Sequence, residues 1–230
     1  MKEPTVIIMG KRPRVGYNKT RLSPPLSLEQ STALYEAMLL DTLALVEGLE
    51  GIRPAVAVTP PQDAGYFRAQ VGPRTLVYPV DGPHIGACLD RVLARALDEG
   101  YAPALAINSD GPSLPPDYIR QAVTLLTQAV DPPDVVLGPN YDGGYYLVGV
   151  NEAHPALFAG VAWSTEQVWE QTLANAGLAG LRVEALPPWH DVDTAADIDV
   201  LRADVEAAAP DRLAHTRRFF EQIDSPLQGG

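Results

Sequence analysis

A single cysteine, Cys88, occurs in 230 residues, which excludes an intrachain disulfide framework and a cysteine-rich zinc site. No run of the roughly 18 apolar residues needed to span a bilayer occurs. No charged segment followed by an apolar stretch opens the sequence, so a secretory leader is not expected. Positive charge is scarce as well: 17 Lys and Arg face 29 Asp and Glu, a formal net charge of -12 that argues against nonspecific nucleic-acid binding. These absences predict a soluble, cytoplasmic protein with no membrane span and no nucleic-acid partner. With 46% hydrophobic residues there is material for a sizeable core, and the length predicts one domain over residues 1–230. A homodimer is among the assemblies the sequence allows.

The scarce positive charge is concentrated. Lys11, Arg12, Arg14, Lys19 and Arg21 fall in one short segment that also carries Gly10, Pro13 and Gly16. Directly before it, residues 5–9 form a continuous apolar, β-rich run that reads as a buried parallel strand. A cationic loop after such a strand on an acidic chain points to a phosphate ligand. The alternative is a solvated loop. Two common phosphate sites are excluded by spacing. Five residues separate Gly10 from Gly16 and Lys19-Thr20 comes too late for a P-loop, and the dinucleotide fingerprint is absent.

Strand and helix patterns then alternate. Strands are predicted at residues 55–59, 75–78, 104–108, 134–137, 145–150 and 181–186. Ser27 and Gln30 read as a capping box opening a helix to residue 47, with further helices over 62–70, 85–99 and 116–129. Ser164 to Gln167 reads as a second capping box for a helix to residue 176. Thr194 reads as the cap of a helix to residue 208, and a last helix covers 211–223 before a frayed Gly229-Gly230 end. This alternation predicts an α/β protein with a mostly parallel, doubly wound sheet and helices on both faces.

Four further features could carry chemistry. Asp110 follows an apolar strand, at the sheet edge where α/β proteins collect ligands, and can hold Mg²⁺ or Mn²⁺ against a phosphate. Its bland reading is a turn cap. Asp191 and Asp193 alternate, so in an extended segment both face one way and need a cation or donors between them. A divalent metal shared with Asp110 meets that need; simple exposure beside a helix start is the alternative. Asp142, Gly143 and Gly144 can bind a hydroxylated acceptor through close backbone approach, or simply turn a β-hairpin. Ser164 and Thr165 open a helix whose N–H groups can bind an anion, or merely cap it.

These pieces together resemble a family of bacterial glycosyltransferases with the nucleotide-diphospho-sugar transferase (GT-A) fold, named for association with radical-SAM proteins or arsenosugar biosynthesis. The residues that carry the resemblance are Lys11, Pro13, Gly16 and Lys19 to Leu22; Asp41-Thr42; Ser109, Asp110, Pro112 and Leu114; Gly138-Pro139 with Asp142 to Leu147; Trp163 to Thr165; and Asp191 to Thr194. The loop of Lys19, Thr20, Arg21 and Leu22 also looks like that of phospholactate guanylyltransferases. The resemblance implies a three-layer αβα GT-A fold. It implies that Lys11, Gly16, Lys19, Thr20 and Arg21 cradle nucleotide phosphates and that Asp110 helps hold metal, with Lys19 and Asp110 the catalytic pair. The segment 81–86 departs from the family's usual glycine-rich pattern. The expected partners are a nucleotide sugar or nucleoside triphosphate and a small-molecule acceptor, with Mg²⁺ or Mn²⁺ as cofactor. Glycosyl transfer leads, nucleotidyl transfer with pyrophosphate release is the alternative, and a non-catalytic nucleotide-binding module is the third reading.

Overall fold

The computed structural model describes residues 2–128 and 130–225; the expected helix end at Ala129 and the expected frayed Gly229-Gly230 end lie outside the described residues. Seven strands form one sheet: β1 (Thr5–Gly10), β2 (Arg53–Val58), β3 (Leu76–Pro79), β4 (Ala104–Ile107), β5 (Val135–Pro139), β6 (Tyr145–Val150) and β7 (Val183–Ala185). The α-helices are α1 (Leu28–Glu47), α2 (Ala64–Gln70), α3 (Ile85–Asp98), α4 (Pro116–Thr127), α5 (Val168–Leu178), α6 (Ala195–Ala207) and α7 (Ala214–Asp224). The described residues fall into two compact units. The first takes those within Met1–Arg12, Val46–Asn108 and Leu114–His190, and the second those within Pro13–Leu45, Ser109–Ser113 and Asp191–Gly230.

The first unit holds the sheet, in the order β3-β2-β1-β4-β6-β5-β7. All neighbours are parallel except β6, which runs antiparallel to both β4 and β5. The expectation of a mostly parallel α/β sheet is met, and β6 supplies the one reversed strand. Ile7, Ala55, Ala57, Ala106, Leu137 and Val148 line one face, packed with Leu89, Val92 and Leu93 of α3, Ala176 of α5, and Leu157 and Phe158. On the other face, Phe67 of α2 lies over Gly10, and Leu126 of α4 lies over Gly149. Period-two alternation therefore gives β1, β2, β4, β5 and β6 two buried faces between helices, whereas the edge strand β7 stays largely exposed. β1 and β4 are adjacent and parallel, so the chain leaves both at the same edge of the sheet.

The second unit is helical. Leu34, Tyr35 and Met38 of α1 pack with Ile198, Leu201 and Val205 of α6 and with Phe219 and Phe220 of α7. Leu22, Leu26 and Val192 join this core from the flanking segments.

Capping boxes open two of the helices. Ser27 Oγ accepts the Gln30 N–H at 3.1 Å and Gln30 Oε1 accepts the Ser27 N–H at 2.8 Å, the reciprocal box expected there. Thr194 and Asp197 form another at α6. The box expected at Ser164 does not form. Ser164 adopts a left-handed φ of 65°, and the Thr165 hydroxyl donates to the Ala162 carbonyl, so α5 starts later, at Val168. The last strand is shorter than expected because only Val183–Ala185 pairs, with β5. Among the described residues no helix is long and apolar enough to cross a membrane.

Candidate functional site

Three residues distant in sequence meet within the helical unit. Lys19 Nζ lies 3.0 Å from Asp110 Oδ2 and also donates a short hydrogen bond to Asp193 Oδ1. The lysine side chain is 7% exposed and the two carboxylates 32% and 39%, so the cation is buried while its anions still reach water. Burial alone would lower the Lys19 pKa. The charges of Asp110 and Asp193, with their hydrogen bonds, outweigh it and raise the pKa above the ordinary lysine value. Lys19 is therefore an ammonium throughout the neutral range.

The local backbone explains why these groups converge. Lys19 sits at φ 52°, a left-handed conformation, just before a single 3-10 turn over Thr20–Leu22. Leu22 is fully buried in the helical core and anchors that turn, whereas Thr20 and Arg21 are exposed. Asp110 is positioned from two sides. The Val192 N–H donates to its carbonyl at 3.0 Å, and Ser109 Oγ lies 3.4 Å from its Oδ1. Ser109 is itself 3.5 Å from the hydroxyl of Tyr35, a buried residue of α1 that nothing in the sequence singled out beyond its helical position. Asp193 is held at the entrance of α6, where its N–H donates to Asp197 Oδ2 at 3.0 Å.

Asp191 and Asp193 flank the fully buried Val192, and a carboxylate oxygen of each comes within 4.8 Å of the other. The expected alternation is thus present. On Asp110 and Asp193 the neutralising cation is the ammonium of Lys19. This donor set suits a hard divalent cation, because carboxylate oxygens already gathered about a positive charge are the ligands Mg²⁺ and Mn²⁺ take.

The other expected residues divide. Lys11 is exposed. Arg12, beside it, is directed at Asp63 at 3.9 Å and lies over the Tyr66 ring at 5.3 Å. Gly16, at φ 77°, makes the tight turn in which the Arg14 N–H donates to Asn18 Oδ1 at 2.8 Å. In the sheet unit, Asp142 Oδ1 accepts the Gly144 N–H at 2.9 Å and Gly143 has φ 88°. A Cβ on Gly143 would stand 2.1 Å from the Glu166 carbonyl oxygen. The glycine pair therefore lets the backbone approach another part of the chain, and brings Asp142, Gly143 and Gly144 beside the loop of Ser164 and Thr165.

Asp41, one of the residues behind the family resemblance, has a different task. It is 5% exposed and accepts from the N–H groups of His215 and Thr216, at 3.0 and 2.8 Å, and from Thr216 Oγ1 at 2.6 Å. It caps α7 from α1.

A family model described as "Uncharacterized protein conserved in bacteria (DUF2064)" matches residues 42–165. A solved structure from Desulfovibrio desulfuricans G20, described as a "putative nucleotide-diphospho-sugar transferase", is 27% identical with a TM-score of 0.86, over 98% of this chain and 96% of that one. A CMP:2-keto-3-deoxy-manno-octonic acid synthetase complexed with CTP shares 13% identity with a TM-score of 0.53, over 90% and 99% of the two chains. The Rv0371c protein of Mycobacterium tuberculosis H37Rv, in complex with manganese, shares 18% identity with a TM-score of 0.50, over 96% and 98%. At these lower identities the likeness is one of fold.

Proposed function

The chain belongs to the bacterial family described as DUF2064, and from that premise we propose that it is a cytoplasmic, metal-dependent transferase acting on a nucleotide-activated substrate, foremost a glycosyltransferase using a nucleotide-diphospho-sugar. The observation that carries this reading is the meeting of Lys19, Asp110 and Asp193. We read residues 1–230 as one transferase domain.

In this reading Asp110, Asp193 and Asp191 would hold Mg²⁺ or Mn²⁺. When bound, the metal supplies charge neutralisation at the leaving diphosphate. The chain's own groups do the rest. Lys11, Lys19, Thr20 and Arg21, with the turn at Gly16, bind and orient the nucleotide phosphates through charge-assisted hydrogen bonds. Lys19 and Asp110 form the catalytic pair, the ammonium facing the charge that develops on the departing phosphate. Asp142, Gly143, Gly144, Ser164 and Thr165 bind the acceptor. Support for a nucleotide ligand comes from the relative named as a nucleotide-diphospho-sugar transferase, and support for a metal from the manganese complex of a protein of similar fold.

A second reading is nucleotidyl transfer, in which an acceptor phosphate attacks a nucleoside triphosphate and pyrophosphate leaves. The CTP-bound synthetase of similar fold favours it. Incubation with Mn²⁺ and a panel of nucleotide sugars and triphosphates separates the two. Release of nucleoside diphosphate from a sugar donor supports the first, and release of pyrophosphate supports the second. If no nucleotide raises the melting temperature with or without Mn²⁺, both readings fail.

A further inference from the structure

Lys19 bonds the two carboxylates that the transferase reading assigns to a metal, and the geometry sets the two roles in competition. The ammonium nitrogen is within hydrogen-bond reach of Asp110 Oδ2 and Asp193 Oδ1 together. A divalent cation on those same oxygens would stand roughly 2.1 Å from each, inside the space the ammonium fills. Exposure differs in a telling direction. The carboxylates keep 32% and 39% of their surface in water, whereas Lys19 is almost wholly covered. A cation from solution therefore has a route to the carboxylates, and the lysine already sits on them from within.

We propose that Lys19 is the resident counter-ion of the Asp110–Asp193 pair, and that a divalent metal exchanges with its ammonium there, freeing Lys19 for a phosphate. The identity of that phosphate rests on the transferase reading; the exchange does not. Charge explains why the device would matter. Two carboxylates with one ammonium leave a net negative centre, and a divalent metal brings them to neutrality. The displaced ammonium is then a buried cation without an anion, which is costly until a phosphate meets it. Metal and phosphate therefore favour each other's binding, and such coupling is reciprocal. The left-handed backbone at Lys19 adds to the argument, because a lysine pays sterically for that conformation and the ion pairs help to hold it there.

The test uses Mn²⁺ alone, with no nucleotide, titrated calorimetrically into wild type, Lys19→Met and Lys19→Met/Asp110→Asn. Lys19→Met is expected to bind Mn²⁺ at least about tenfold more tightly than wild type, within the usual range of coupling, and the double variant to lose that gain. Equal or weaker binding by a folded Lys19→Met chain overturns the proposal. Because that variant leaves two carboxylates without their cation, its melting temperature is followed as well. Mn²⁺ should raise it more than it raises that of wild type, and an equal or smaller rise counts against exchange. In wild type, acylation of Lys19 read by mass spectrometry should increase at saturating Mn²⁺, and unchanged labelling contradicts displacement. Exchange without turnover of any nucleotide leaves this inference standing and removes the transferase reading. Turnover without exchange does the reverse.

Discussion

Two acidic centres in the helical unit differ in what satisfies them. Asp41 is bound by two backbone N–H groups and a hydroxyl, all fixed at the start of α7. Asp110 and Asp193 are bound by the tip of one long side chain. The donors around Asp41 can leave only if α7 unwinds. The ammonium on Asp110 and Asp193 can leave by rotation of the lysine's own bonds. A buried carboxylate with fixed donors belongs to the fold, and a half-exposed pair with a movable cation is free to take part in chemistry. The distinction rests on the donors and not on the acids, which are all aspartates.

Breaking the comparison is a matter of finding either centre behaving like the other. The largest effect is expected at Asp110. Asp110→Asn should lower metal-dependent turnover by at least about 100-fold, the size of losing one electrostatic group at a reacting centre. Its melting temperature should stay near that of wild type, because Asp193 still holds Lys19. Kinetics and thermal melts on one preparation check both halves. Asp41→Ala should do the opposite. Losing the acceptor for two buried donors and one part-buried one should cost about 3 kcal/mol of stability in urea unfolding, with nucleotide affinity of the folded chain unchanged. An Asp41→Ala chain as stable as wild type would erase the contrast. Arg21→Ala should weaken nucleotide binding by about 2 kcal/mol in a titration, without loss of stability, since Arg21 is exposed. The smallest effect sharpens the boundary between the two classes. Thr194→Ala removes half of the α6 capping box next to Asp193 and should cost about 1 kcal/mol of stability, with only a minor change in turnover.

Much of the fold is legible in the sequence because local chemistry decides it. The apolar, β-rich runs of β1 and β4 read as buried strands and are strands, and the boxes at Ser27 and Thr194 form as their spacing requires. The box at Ser164 shows the limit. It has the same residue pattern as the one at Ser27, yet the chain there is committed to the close approach of Glu166 to Gly143, and the helix starts later. Tertiary contact overrides a good local signal. The site was legible in its parts and not in its assembly. Asp110, Asp193 and Lys19 each stand out by charge and position, but charge and position alone do not show that the three pair with one another. Their mutual pairing depends on the burial of Leu22 and on the hydrogen bond from the Val192 N–H to the Asp110 carbonyl, which bring distant segments together. The partners of Tyr35 and Asp41 are not legible, because a polar residue within an apolar helix gives no sign of what it will bond.

The central claim is that the Asp110–Asp193 pair serves a nucleotide-bound metal. Its most direct test is a calorimetric titration of wild type and Asp110→Asn with the nucleotide or nucleotide sugar that gives the largest thermal shift, each with and without Mn²⁺. The account predicts that Mn²⁺ tightens nucleotide binding to wild type by about tenfold or more and leaves binding to Asp110→Asn unchanged. The same gain from Mn²⁺ in both chains would contradict it.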